Sequence, residues 1–184
     1  YFDIDPDLDA TAYLSLFSSQ LPVIGGQVRK RFENGRFQIE GSITQSDFTH
    51  TETTTALDVE PKAVRGHINA RGLFDLNDAW RIGGNLDAAS DRSYLYQYYG
   101  FRENWLTSRA FAEGFYGRDY IGINAYRFQD LRVGVGENQP VVFPLAQYQL
   151  FGEPGSALGG RWGLDLGLLG LERSRGTDYT RTTL

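Results

Sequence analysis

Val64-Arg65-Gly66-His67-Ile68-Asn69-Ala70-Arg71-Gly72-Leu73-Phe74 is followed by Asp75-Leu76-Asn77-Asp78-Ala79 and then by Trp80-Arg81-Ile82-Gly83-Gly84-Asn85-Leu86-Asp87-Ala88. In the first arm, Val64, Gly66, Ile68, Ala70, Gly72 and Phe74 share one parity, with Arg65, His67, Asn69 and Arg71 between them. In the second, Trp80, Ile82, Gly84, Leu86 and Ala88 alternate with Arg81, Asn85 and Asp87. Period two predicts strands, because successive side chains leave a pleated backbone on opposite sides. Two such arms around a short polar break predict a hairpin with one apolar and one charged face. Each arm has roughly the ~9–11 residues that a tilted strand needs to cross a bilayer.

The pattern continues on both sides. Upstream, Leu8, Ala10, Ala12, Leu14 and Leu16 alternate with Asp9, Thr11, Tyr13 and Ser15. Ile24, Gly26, Val28 and Phe32 oppose Gln27, Arg29, Arg31 and Glu33, with Lys30 the one charge on the apolar parity. Asn34-Gly35 then signals a tight hairpin, since both residues tolerate positive φ. Phe37, Ile39, Gly41 and Ile43 follow, set against Gln38, Glu40, Ser42 and Thr44. Downstream, Asn104 to Tyr116 and Tyr120 to Gln129 flank Gly117-Arg118-Asp119, and 146–152 and 160–173 make two later strands. Asp47–Lys62, Ser90–Glu103 and Leu131–Leu145 are read as long connections, the second rich in tyrosine.

Composition agrees with an almost all-β chain. Twenty-two glycines weaken helices, while 11 tyrosines and 12 phenylalanines favour strands. The expected fold is an all-β, antiparallel up-and-down meander forming part of a transmembrane outer-membrane β-barrel. The 184 residues are expected to be one fragment of a single barrel domain, with about eight or nine strands and no second domain. The opening at Tyr1-Phe2-Asp3 and the absence of methionine fit an excised internal piece.

Two regularities point to a membrane barrel rather than a soluble lipid-binding barrel with its apolar side inward. Connections alternate between tight and long, which puts the tight turns on one rim, as in outer-membrane barrels. Aromatics also flank those turns: Phe32 and Phe37, Phe74 and Trp80, Tyr116 and Tyr120. These six are the expected aromatic girdle at the headgroup layer. Ile24, Val28, Ile39, Ile68, Ile82 and Leu86 are the expected lipid-facing residues. Arg29, Arg31, Glu33, Glu40, Arg65, Arg71, Arg81, Asp87, Arg109 and Glu113 are the expected lining of a wet lumen. Clustering of Ile39, Ile68 and Leu86 inside a sealed body, with Arg29 and Arg71 outside, would refute this arrangement.

Several function classes drop out. A net charge of −5 gives no basic footprint for nucleic acid. With no cysteine and two histidines lacking zinc-ligand spacing, neither a metal nor another cofactor is expected. No nucleophile elbow or phosphate loop occurs. His67 with Asp9 or Asp87 is the one conceivable hydrolytic set, and a solvated or paired histidine is the simpler account. No enzymatic activity is expected. The arginines can pair across strands with the carboxylates, or can serve an anionic solute through their planar forks.

Several local strings resemble those of one family, the lipopolysaccharide-assembly protein LptD, or organic solvent tolerance protein. Pro6-Asp7-Leu8-Asp9-Ala10-Thr11 is similar to its P-x-x-D-A-T. Trp80 followed by Ser90-Asp91 and Tyr94 resembles its W…S-D-x-x-Y, and Phe128-Gln129 with Pro140 to Pro144-Leu145 resembles its F-Q…P-x-x-x-L-P. The resemblance implies a periplasmic jellyroll followed by a large outer-membrane barrel, and lipopolysaccharide as cargo. It further implies an LptE-like plug lipoprotein and the periplasmic Lpt bridge as partners, with outer-membrane lipid around the wall. The cargo would leave between the first and last barrel strands, with Leu8–Phe17 as the gate-side first strand. Two departures stand out: Leu14 occupies the place near which the family often has a proline, and the cysteines that tie barrel to jellyroll in some relatives are missing. General solute diffusion through an outer-membrane pore is the alternative expectation.

Overall fold

The computed structural model describes residues 2–18, 20–50, 58–132, 139–152, 155, 160–173 and 177–184. Among the described residues, eleven strands form one antiparallel sheet in strict sequence order. They are β1 (Phe2–Asp5), β2 (Leu8–Ser15), β3 (Val23–Phe32), β4 (Gly35–His50), β5 (Asp58–Asp75), β6 (Trp80–Ala89), β7 (Trp105–Tyr116), β8 (Asp119–Asp130), β9 (Pro140–Phe151), β10 (Gly163–Arg173) and β11 (Tyr179–Thr183), with a single helix α1 (Tyr94–Tyr99) between β6 and β7. The sheet is an open meander, its two ends unjoined. Among the described residues no helix is long and apolar enough to cross a membrane.

The count exceeds the expected eight or nine because short strands were added at both ends. Phe2–Asp5 pairs with β2 through Phe2↔Ala10 and Asp3↔Asp9, so Leu8–Ser15 is the second strand of the sheet and not the first. At the other end, Tyr179–Thr183 pairs with β10. The connection expected at Asp47–Lys62 is mostly strand: β4 and β5 continue through Phe48↔Glu60 and His50↔Asp58, and 51–57 lies outside the described residues. Sixteen residues in β4 span about 53 Å at ~3.3 Å each, twice the ~25 Å apolar band of a barrel. From Asp47 to Lys62 the sequence has no hydrophobic alternation by which a strand could be read.

The tight turns share one rim, as expected, with one exception. The connection from Gly152 to Trp162 lies on that rim and is long, closed where the Gly152 N–H donates to the Trp162 carbonyl at 2.9 Å. In β9, Phe143-Pro144 joins through a cis peptide at a break in register with both neighbours. A bulge is where a strand can hold a proline, which has no N–H for the ladder.

Among the described residues, only five hydrophobics are buried: Val23, Tyr94, Leu95, Leu106 and Leu131. Four of them form one cluster where α1 folds back against the sheet. Of the strand aliphatics, Leu106 of β7 belongs to it and Ala89 of β6 packs against it.

Candidate functional site

Antiparallel partners share a face, so the register assigns sides without reference to any single contact. One row crosses seven strands as Asp3, Asp9, Arg29, Gln38, Arg71, Asn85 and Arg109. Arginine stands on every second strand from β3 to β7, with an amide between. Neighbouring strands lie about 4.8 Å apart, which spaces the arginines at about 10 Å.

Local bonds fix most of this face. Arg29 Nε donates to Asp9 Oδ1 at 2.8 Å. Arg81 pairs with Glu113 at 2.7 Å, and Arg109 reaches Glu113 at 3.5 Å and Asn124 Oδ1 at 2.6 Å. Asn69 donates to Asp87, and Gln27 to Glu40 at 3.3 Å. Arg29, Arg31, Arg71 and Arg109 line one cavity of about 890 Å³, together with Asp3, Asp5, Asp7 and Asp9. Arg36 lines it too and was not anticipated, because it follows the Asn34-Gly35 turn where parity is hard to carry across. Glu33 lies exposed in that turn and does not line that cavity. Phe111 and Phe115 also stand on the polar face, under Arg109 (4.3 Å to the ring centre) and Arg81 (5.1 Å).

Arg65 departs from the expected water-lined wall. It is 3% exposed, because the connection after β6 folds back over the polar face and encloses it. Its Nε and Nη2 donate to the two oxygens of Asp91 at 2.7 and 2.8 Å, and further bonds reach Ser93, Gln97 and Ser46. Asp91 also accepts the backbone N–H groups of Ser93 and Tyr94, both at 2.9 Å, and so starts α1. Gly100, with φ 66°, ends it in the left-handed conformation that a glycine adopts without steric cost. Burial alone would raise the Asp91 pKa, but the bonds from Arg65, Ser90 and Ser93 outweigh it and hold the carboxyl below its ordinary 3.8.

Tyr94 is fully buried, and its hydroxyl meets Ser42 Oγ at 2.7 Å. Tyr99 bonds the same oxygen at 2.7 Å, and His67 Nδ1 lies 2.8 Å from it. Ser42 is therefore enclosed by hydrogen-bonding partners. Among the described residues His67 Nδ1 has Ser42 Oγ as its partner, while Asp9 is bonded to Arg29 and Asp87 to Asn69, an arrangement unlike the carboxylate-oriented histidine of the conceivable hydrolytic set.

The upper part of the β6–β7 seam is closed by side chains. Paired residues end at Asn85↔Arg109. Beyond that point Ser108 Oγ accepts the Asp87 N–H at 3.0 Å and donates to the Asp87 carbonyl at 3.2 Å. The Gln129 amide does the same for Ala89, accepting at 3.0 Å and donating at 2.7 Å. Leu106 fills the gap and is 7% exposed.

The opposite face is apolar and open. Ile24 is 60% exposed, and Val28, Ile68, Ile82 and Leu86 lie between 37% and 41%, while Ile39 is half-buried beside Val28 and Ala70. Phe32 packs on Phe74 at 5.4 Å. Trp80 packs on Tyr116 at 6.3 Å and donates its indole N–H to the tyrosine hydroxyl. With Phe37, these five occupy the aliphatic face at the tight-turn rim.

Tyr120 does not join them. The turn before β8 holds two residues, so Tyr116 pairs with Asp119 and Tyr120 with Phe115. A shift of one residue moves a side chain to the other face. Tyr120 therefore stands with the arginines, its hydroxyl donating to Glu113 at 3.4 Å.

Compared with known proteins, the chain matches no curated protein. Residues 63–184, about two thirds of the chain, match the family model for LptD, LPS transport system D. That region includes Trp80, Ser90-Asp91, Tyr94, Phe128-Gln129 and Pro140 to Leu145, and excludes Pro6 to Thr11. Three of these residues, Asp91, Tyr94 and Gln129, hold the folded-back loop and the β6–β7 seam. The chain belongs to the LptD family and, with it, to lipopolysaccharide transport.

Proposed function

We propose that the chain is the N-terminal part of the wall of an outer-membrane barrel that delivers lipopolysaccharide from the periplasm to the outer leaflet. The observation that carries this reading is the separation of the two faces. Arginines and carboxylates share one side with the folded-back loop, and exposed aliphatics occupy the other. In this reading Ile24, Val28, Ile39, Ile68, Ile82 and Leu86 meet acyl chains, with Phe32, Phe37, Phe74, Trp80 and Tyr116 at the headgroup level. Arg29, Arg31, Glu40, Arg71, Arg81, Asp87, Arg109 and Glu113 line the lumen that receives the sugar and phosphate portion. Strands contributed by the rest of the barrel satisfy the backbone groups that lipid cannot.

The lateral exit falls on the edge of β2, whose lower half is occupied by β1. An LptE-like lipoprotein fills the lumen, and the periplasmic Lpt bridge supplies cargo. The role is structural and positional, with no bond made or broken.

A photoreactive residue in place of Arg71 or Ile82 of the full-length protein, in cells making lipopolysaccharide, tests the reading. A lipopolysaccharide adduct at Arg71 that requires active transport is the expected result. Its absence, with ion conductance and no co-purifying lipoprotein, would favour a general pore instead.

A further inference from the structure

The amino terminus reads Asp3-Ile4-Asp5-Pro6-Asp7-Leu8-Asp9, a carboxylate at every second position. Strand parity and the turn between β1 and β2 bring all four onto one cavity. Asp3 and Asp9 are direct cross-strand partners, an arrangement that repels unless positive charge lies close by. That charge is present: Arg29 is bonded to Asp9, and Arg31, Arg36 and Arg71 line the same cavity. Among the described residues Arg31, Arg36 and Arg71 form no ion pair. β1 itself is exposed along its whole length and held by a short ladder, so little packing resists its departure.

We infer that the acidic segment Asp3–Asp9 is a built-in competitor for an anion site formed by Arg31, Arg36 and Arg71, and that a phosphate-bearing ligand binds there by displacing it. Arginine's planar fork suits a phosphate group, and a cavity of about 890 Å³ has room for one. Carboxylates on the same cavity lower the affinity for any anion, lower the salt at which binding is lost, and favour ligands with more than one negative charge. The inference concerns the site and its competitor, and holds whatever cargo the barrel carries.

The test uses the full-length protein in zwitterionic micelles and isothermal titration with two probes. One is inorganic pyrophosphate, and the other is micelles doped with phosphatidic acid. The variant Asp3→Asn, Asp5→Asn, Asp7→Asn should bind at least one probe about fivefold or more tightly than the native protein at low salt. That gain should vanish when Arg71→Gln is added. Arg36→Gln provides a second removal of positive charge should Arg71→Gln fold poorly, as judged by heat-modifiable gel mobility. A gain with pyrophosphate assigns the site to a free phosphate group, and a gain with doped micelles alone assigns it to a headgroup. Equal affinity in native and triple-Asn proteins for both probes, or a gain that survives loss of Arg71 and Arg36, would overturn the inference.

Discussion

The Arg65–Asp91 pair shows how one contact holds a whole connection. Both side chains are nearly removed from water (3% and 7% exposed), and the guanidinium meets both carboxylate oxygens. Removing one partner of such a pair leaves a buried charge unmatched and costs about 3–5 kcal/mol. Asp91→Ala should therefore release α1 and leave the strands intact, seen as faster hydrogen exchange over 93–100 with unchanged far-ultraviolet strand signal. The pH dependence follows from the same contact. The folded-state pKa of Asp91 lies below 3.8, so its contribution is complete above that value and is lost as pH falls through the depressed one. Protection of the α1 amides, corrected for intrinsic exchange, should be flat from pH 7 to about 4 and fall below it. Loss of protection already at pH 6 would mean that another group controls the loop.

Strands were legible because each has to present different chemistry to its two sides, and a period of two survives the many glycines. Register was less legible. Tyr120 reads as a girdle residue if Gly117-Arg118-Asp119 forms a three-residue turn, but Gly117 takes φ 62° and the turn closes in two. The helix was hidden for another reason. Tyr94-Leu95-Tyr96-Gln97-Tyr98-Tyr99 has the composition of a strand, and its helical form depends on Asp91 and Arg65, of which Arg65 is distant in sequence. Arg36 and the cavity that β1 shares with the arginines needed the fold to appear. Two predictions belong to this scale. Ile68→Arg should cost about 2–4 kcal/mol in detergent-to-bilayer refolding, and Asn69→Arg close to nothing, if Ile68 meets the bilayer near its midplane. Gln129→Leu should cost about 1–3 kcal/mol and speed exchange of the Ala89 amide, because both backbone groups of Ala89 lose their partner.

At the scale of the molecule, the balance of apolar surface is inverted relative to a soluble sheet protein. Among the described residues five hydrophobic side chains are buried, whereas Ile24, Ile43, Val64, Ile68, Ile82, Leu86, Ile123, Leu164 and Leu168 form a band left open on one face. An open sheet with two free ends and such a band associates in water. The 184-residue chain should aggregate in buffer and be recovered as a monomer only in detergent, which gel filtration would show. A monodisperse species in buffer would instead favour the soluble lipid-binding barrel. The central claim is that alternate side chains face lipid and water, and it is directly measurable by spin labels at single cysteines introduced among these cysteine-free 184 residues of the full-length, membrane-inserted protein, with any cysteine elsewhere in it replaced by serine. Labels at Ile68, Ile82 and Leu86 should be relaxed by oxygen dissolved in the bilayer, and labels at Asn69, Arg71 and Asp87 by a water-soluble nickel chelate. Uniform accessibility along the strands, or the opposite alternation, would contradict it.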